Sequence, residues 1–335
     1  MRYVIIGSGA VGGSIGGRLH ESGRSVVLVA RGAHFEALRG NGLRLTVPSG
    51  TLTLDVPVVA GPEDVALRED DVLVLAVKTQ DSDAALQAWA ARQVAGGGTA
   101  GERLALVCAQ NGVENERRAL RLFREVYGMC VVLPGTHLEP GSVVAPCGPY
   151  TGALVVGRYG AGPDGTVRRI ADDLEKSCFL APVVADVMRW KYGKLLGNLA
   201  NAVEALCGSV SDDGAARDLV ARATAEGAAV LGAAGIAYAS GAEITGLRSG
   251  TVEPRPVPGE HTHGSSWQSL ARGAGSIETD YLNGEIVLLG RSHGVPTPVN
   301  AALQQAARES VRLGRAPGAL TAEDLERRIA GTVAS

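Results

Sequence analysis

Gly7-Ser8-Gly9-Ala10-Val11-Gly12 sets three glycines in a G-x-G-x-x-G spacing directly after the apolar run Tyr3–Ile6. Followed by a helix, this spacing makes a phosphate cradle. Gly7 permits a tight turn, Gly9 lets a pyrophosphate approach the backbone, and Gly12 lets helix and strand pack closely. The helix N-terminus then offers unpaired N–H groups and a positive dipole end to the phosphates. Gly7, Ser8, Gly9, Ala10, Val11 and Gly12 are therefore the predicted dinucleotide loop. A glycine-rich turn with no ligand is the competing reading, and the strand–turn–helix context disfavours it. A second choice is made where the next apolar run ends. NAD sites usually place Asp or Glu there for the ribose 2′-hydroxyl, but this chain reads Val29-Ala30-Arg31-Gly32. A guanidinium suits a 2′-phosphate through paired, charge-assisted hydrogen bonds. NADPH/NADP+ is expected over NAD(H), with a solvated Arg31 as the bland alternative.

The elements that must position these residues are legible around them. Tyr3–Ile6, Ser25–Ala30, Val72–Val77 and Leu104–Cys108 are short apolar runs without alternation, as expected for parallel strands covered on both faces. Val11–His20, His34–Arg39 and Asp83–Gln93 lie between them as helical stretches. Strand–helix alternation predicts a doubly wound α/β sheet of Rossmann type. Asn41–Val59 alternates apolar and polar residues around Pro48-Ser49-Gly50 and is read as a hairpin inserted into that core. Met129–Val156 supplies further strand-like segments. After about Ala185 the character changes to long Ala/Leu-rich stretches: Trp190–Leu206, Ala215–Gly235, Ser276–His293 and Ala301–Leu313. The expected architecture is a Rossmann domain over 1–184 and an all-helical domain over 185–335. The Pro/Gly-rich stretch Gly250–Gly264 interrupts the helices. Its His261 and His263 form an H-x-H pair with no third ligand in view, so no metal is expected.

The whole-chain properties exclude several classes. A net charge of −3, with acids and bases interspersed, leaves no basic face for nucleic acid. Small anions need only local cations. The five cysteines, Cys108, Cys130, Cys147, Cys178 and Cys207, are odd in number and form no C-x-x-C, which argues for reduced thiols. The chain opens without the charged and apolar regions of a signal peptide, and no apolar run is long enough for a bilayer. A cytoplasmic location with no membrane partner is expected.

With these pieces in place the chain resembles the ketopantoate reductases (2-dehydropantoate 2-reductases). The shared features, in order, are the glycine fingerprint, Arg31, Val77-Lys78-Thr79, Gln110-Asn111-Gly112, Lys194-Leu-Leu-Gly-Asn198, Ser265-Ser266 and Glu278-Thr-Asp280-Tyr-Leu-Asn283-Gly284. They span nearly the whole chain, and the stretch from Ile277 to Pro298 is the most specific. The resemblance implies NADPH-dependent reduction of ketopantoate to pantoate in pantothenate and coenzyme A synthesis. Hydride addition to a ketone creates an alkoxide, so a proton donor or cation must stand beside the carbonyl oxygen.

The resemblance makes Lys194 the catalytic lysine that polarises the carbonyl and delivers the proton. Desolvation can bring a lysine into the range such work requires. Lys191, one turn earlier, competes for the role. Glu278 matches the glutamate that accepts the substrate hydroxyl and is counted with Lys194 as catalytic. Asn111 and Lys78 match residues at the nicotinamide and substrate, Asn198 lies one turn from Lys194, and Ser266 matches a substrate-binding serine. Asp280 faces another way and serves structure. In two places the chain departs from the family pattern. A second asparagine, Asn201, comes one residue early and is not followed by proline; it is retained as a substrate-binding candidate. The Pro-rich loop precedes Ser265, where substrate side chains would be read. Both leave open a relative that reduces another 2-oxo acid or carbonyl, and, from a different class, a non-catalytic NADP-binding protein. A homodimer through the helical domain is compatible with any of these.

Overall fold

The computed structural model describes residues 1–255, 257 and 263–333. His261 and five other residues of the Pro-rich loop, at 256, 258–260 and 262, lie outside the described residues. The chain forms two compact units, Met1–Lys191 with Ala242–Thr262, and Tyr192–Gly241 with His263–Ser335.

The first unit opens with β1 (Arg2–Ile6), α1 (Ala10–Glu21), β2 (Ser25–Val29), α2 (Gly32–Asn41), β3 (Leu43–Val47), β4 (Gly50–Leu54) and β5 (Val58–Val59). It continues with β6 (Asp71–Leu75), α3 (Ser82–Ala90), α4 (Ala100–Arg103), β7 (Ala105–Cys108), α5 (Asn115–Ala119) and β8 (Glu125–Val132). Then come β9 (Ser142–Val144), β10 (Cys147–Pro149), β11 (Gly152–Arg158), α6 (Gly165–Glu175) and β12 (Phe179–Leu180). The helix α7 (Val187–Asn198) begins in the first unit and ends in the second, where α8 (Ala200–Cys207) and α9 (Gly214–Ala233) follow. After α10 (Gly241–Arg248) and β13 (Val252–Pro254), the second unit ends with α11 (Ser265–Ala271), α12 (Asn283–His293), α13 (Pro298–Arg312) and α14 (Ala322–Val333).

The main sheet has the order β12-β11-β8-β7-β6-β1-β2-β5. From β8 to β5 every neighbour is parallel, while β11 pairs antiparallel with β8. The unbroken apolar runs follow from this: every residue of β1, β6 and β7 is buried, because helices cover both faces. Burying one such valine, leucine or isoleucine contributes about 1.5–3 kcal/mol. The one charged residue of β1, Arg2, pairs bidentately with buried Asp71 at the start of β6, at 2.7 and 2.6 Å. The predicted hairpin forms as β3 and β4, in a separate sheet of order β4-β3-β9. The loop region before Ser265 contributes β13, which pairs antiparallel with β10.

In the second unit the described residues form only helices and turns. Its amphipathic pattern is plainest on α13, which buries Val299, Asn300, Ala302, Leu303, Ala306, Ala307 and Ser310 along one face. Two stretches that read as single helices are interrupted. Trp190–Leu206 breaks at Leu199, between α7 and α8, after the weak helix formers Gly197 and Asn198. The carbonyl oxygen freed at Leu199 accepts a hydrogen bond from the buried Asn283 side chain. Ser276–His293 divides into a 3-10 turn, Glu278–Tyr281, and α12, parted at Leu282. Asn283 also donates to Asn300, so tertiary hydrogen bonds override the helical period at this point. Among the described residues no helix is long and apolar enough to cross a membrane.

Candidate active site

In the first unit the candidate residues collect along one edge of the sheet. β7, β6, β1 and β2 are adjacent and parallel, so the segments that follow them emerge at the same edge, and β1 is where the direction of winding reverses. In open α/β sheets this is where ligands bind. Gly7 leaves β1 with φ +98°, a left-handed value that favours glycine. A side chain there would also meet Val77 at 2.8 Å, so the turn lies directly against the chain leaving β6. A Cβ on Gly12 would come within 1.9 Å of the Gly7 carbonyl oxygen. Gly9 is the N-cap of α1 and provides no side-chain cap. Helix N–H groups without a side-chain cap are suited to an anion. A Cβ on Gly9 would meet only His137, at 3.9 Å, so this face of the turn is open. Ala10 and Val11 begin α1 and offer backbone.

Ser8 differs from the rest of the loop. Its hydroxyl donates to the Val29 carbonyl at 2.7 Å, and the Gly7 N–H donates to the same oxygen at 3.2 Å. Its side chain is thus spent on tying the loop to the end of β2. Arg31 lies two residues beyond Val29, exposed, as the N-cap of α2. A polyanion over the glycine turn therefore has a cation within two residues of the loop's anchor.

Lys78 and Asn111 leave β6 and β7, and a buried network joins their segments. The Thr79 hydroxyl donates to the Asn111 carbonyl at 3.4 Å and accepts from the Asn115 side chain at 3.1 Å. Ser82 donates to Asn115 at 2.8 Å and accepts from Gln110 at 2.9 Å. Thr79, Ser82 and Asn115 are fully buried. Sequence reasoning quoted Thr79 within Val77-Lys78-Thr79 without giving it a role, and passed over Ser82 and Asn115. Their only signal was polar residues in segments that must be buried behind Lys78 and Asn111.

The second unit carries the remaining candidates. Lys194, partly exposed on α7, donates from Nζ to Asn198 Oδ1 at 2.5 Å, the one-turn pairing expected from their spacing. Among the described residues, buried Asn198 Nδ2 has no hydrogen-bond partner, and neither do Ser265 Oγ and Ser266 Oγ. Asn201 comes close to this serine turn: a Cβ on Gly264 would lie 3.2 Å from Asn201 Oδ1. The Gly264 N–H is held by both carboxylate oxygens of Glu204, at 3.2 and 3.0 Å. Glu278 is buried at the head of its 3-10 turn. Asp280 turns instead to α13, accepting from Gln304 at 2.7 Å. The other lysine of α7 behaves differently. Lys191 is almost fully buried and bonds to Glu116, itself fully buried, within the first unit. The structure therefore directs the competing ammonium to a carboxylate of its own.

The turn bearing Glu278 is held from behind by residues that the motifs did not single out. Glu226 on α9 accepts from the backbone N–H groups of Val299 and Asn300 at 2.8 and 2.9 Å, capping α13 with a negative charge. Asn300 donates to Glu226 and to the Ala223 carbonyl, and accepts from Asn283.

Comparison with known proteins bears on the whole chain. The family model described as Ketopantoate reductase PanE/ApbA matches residues 3–159, and Ketopantoate reductase PanE/ApbA C terminal matches residues 186–324. The chain belongs to the ketopantoate reductase family. The 2-dehydropantoate 2-reductase of Mesorhizobium japonicum is 30% identical over 94% of this chain and 99% of its own. A PanE/ApbA family ketopantoate reductase from Ralstonia eutropha JMP134 superposes with a TM-score of 0.76 at 27% identity, covering 94% of this chain and 99% of that one. The ternary structure of D-mandelate dehydrogenase with NADH and anilino(oxo)acetate also has a TM-score of 0.76, at 21% identity and the same coverage; this likeness concerns the fold. Membership in the ketopantoate reductase family makes this chain an oxidoreductase, built as the family is, with a Rossmann-type sheet followed by a helical domain.

Proposed function

We propose that the protein reduces the ketone of ketopantoate to pantoate with NADPH, using Lys194 as the general acid. The observation that carries this reading is a set of polar groups in the second unit. Lys194 is held by Asn198, and the unit also carries buried polar atoms, Asn198 Nδ2 and Ser266 Oγ, that lack hydrogen-bond partners among the described residues. Buried polar groups are rarely left unsatisfied, and a small oxygen-rich substrate would satisfy these.

The first unit fits a dinucleotide. The uncapped start of α1, the open face at Gly9 and the exposed guanidinium of Arg31 match a pyrophosphate and a 2′-phosphate in charge and donor type. Gly7–Gly12 and Arg31 would hold it, with Lys78 and Asn111 toward the nicotinamide end. The chemistry supplied by the bound nicotinamide is hydride addition to the carbonyl carbon. Lys194 hydrogen-bonds the carbonyl oxygen and transfers a proton to it as negative charge develops there, leaving a neutral amine that regains a proton from solvent. Asn198 Oδ1 holds one ammonium hydrogen and so limits where the others point. Asn198 Nδ2, Ser266 and Asn201 bind the substrate's carboxylate and oxygens, and Glu278 accepts the hydrogen bond of its 4-hydroxyl.

A second reading keeps the chemistry and changes the substrate. The His263 ring stacks on Trp267, with centroids 3.7 Å apart, on the segment that carries Ser266. That flat aromatic surface favours a 2-oxo acid with a bulkier side chain. The deciding experiment follows consumption of the reduced cofactor by absorbance, with ketopantoate and then a panel of aliphatic and aryl 2-oxo acids. Turnover of ketopantoate at the highest kcat/KM supports the first reading, and preference for another acid supports the second. Cofactor binding with no turnover of any carbonyl would leave a non-catalytic binder and refute both. In the same assay Arg31→Ala should raise the KM for NADPH about tenfold or more, the scale of a lost charge-assisted hydrogen bond, while leaving NADH kinetics nearly unchanged. An unaltered KM for NADPH would remove Arg31 from the site.

A further inference from the structure

We infer that His34 is a positioning residue for the dinucleotide loop, acting as a neutral imidazole bridge that fixes the Ser8–Gly9 peptide. The inference deepens the reading of the first unit as a dinucleotide site and rests on it. His34 lies on α2, and its ring reaches two backbone groups from different segments. The Gly141 N–H donates to His34 Nδ1 at 2.9 Å, and His34 Nε2 lies 2.9 Å from the Ser8 carbonyl oxygen. A backbone N–H can only donate, so Nδ1 must carry a lone pair. A carbonyl oxygen can only accept, so Nε2 must carry the hydrogen. The two contacts together therefore select one tautomer and exclude the imidazolium, whose Nδ1–H would oppose the Gly141 N–H.

The consequence reaches the cradle. In a trans peptide the C=O and the following N–H point to opposite sides. Holding the Ser8 oxygen toward α2 therefore aims the Gly9 N–H the other way. The Ser8 side chain is pinned independently to Val29, so both halves of the residue are fixed and only the backbone N–H groups beyond it remain to be offered. His137 braces the bridge from the far side. Its ring centroid is 4.3 Å from that of His34, and its Nδ1 lies 3.0 Å from the Ser142 carbonyl oxygen.

The test compares wild type, His34→Ala and His34→Gln by NADPH titration. It also follows amide hydrogen exchange over residues 7–13 in ligand-free protein. Glutamine can accept from Gly141 and donate to Ser8, so it preserves the bridge without a ring. His34→Ala should weaken NADPH binding about tenfold, the scale of one net hydrogen bond, and speed exchange in the loop. His34→Gln should restore both. Equal losses in the two variants would mean that the ring merely packs, and would overturn the inference. So would wild-type affinity and exchange in His34→Ala. If wild type binds no dinucleotide, the proposed function fails, and the exchange comparison still decides whether His34 orders the loop.

Discussion

Lys194→Ala should lower kcat by about two orders of magnitude or more, the scale of lost general-acid catalysis. The alkoxide formed by hydride addition would then have to find its proton in water, and the Asn198 oxygen would lose the ammonium it now holds. Dinucleotide affinity should change little, because the proposed contact of Lys194 is with the substrate carbonyl and not with the phosphates. Lys194→Arg makes the argument sharper. It keeps a cation, but a guanidinium does not release its proton in this range, so kcat should stay low even where ketopantoate still binds. Steady-state kinetics with saturating cofactor, read as separate kcat and KM, check both. A near wild-type kcat for Lys194→Ala would end the assignment of Lys194 as the acid.

Lys191→Ala should produce the largest loss of stability of any single substitution considered. Removing one partner of a buried ion pair leaves the other charge desolvated, at a cost of about 3–5 kcal/mol. Glu116 is fully buried, and its second carboxylate oxygen already lacks a partner among the described residues. Its surroundings are apolar enough that burial, reinforced by the Glu116 charge, pushes the nearby Cys108 thiol well above its usual pKa. The double variant Lys191→Met/Glu116→Leu should recover most of the loss, since apolar replacement of a buried pair is often neutral or stabilising. Denaturant unfolding of the single and double variants measures this directly. A Lys191→Ala protein as stable as wild type would show that water reaches the pair.

The two lysines show what the sequence could and could not convey. Lys191 and Lys194 are the same residue type on one helix, and periodicity could not separate a buried structural cation from a partly exposed one. The distinction depends on Glu116, which is 75 positions away along the chain. The parallel strands and the glycine turn were legible because their causes are local: burial on both faces removes alternation, and the G-x-G-x-x-G spacing reflects contacts within a few residues. The hairpin was legible as alternation, but the pairing of β3 with β9 was not, since it joins segments about a hundred residues apart. The breaks at Leu199 and Leu282 escaped for the same reason. Asn283 reaches Leu199 and Asn300, and no window around residue 283 contains either. Among the site residues, those carried by a motif were nameable. Those that support the motifs from elsewhere, Ser82, Asn115, Glu226 and His34, were not, and Thr79 stood in a motif with no role attached.

The knot formed by Glu226, Asn283 and Asn300 has a consequence for anyone who would rebuild this helical unit. Apolar faces tolerate sliding by a turn, because one leucine replaces another, but a buried chain in which Asn283 donates to Asn300 and Asn300 donates to Glu226 accepts a single alignment. The three residues act as an index pin. Grafting α12 or α13 alone from a distant homologue would misalign the set, so a working chimera must carry all three positions together.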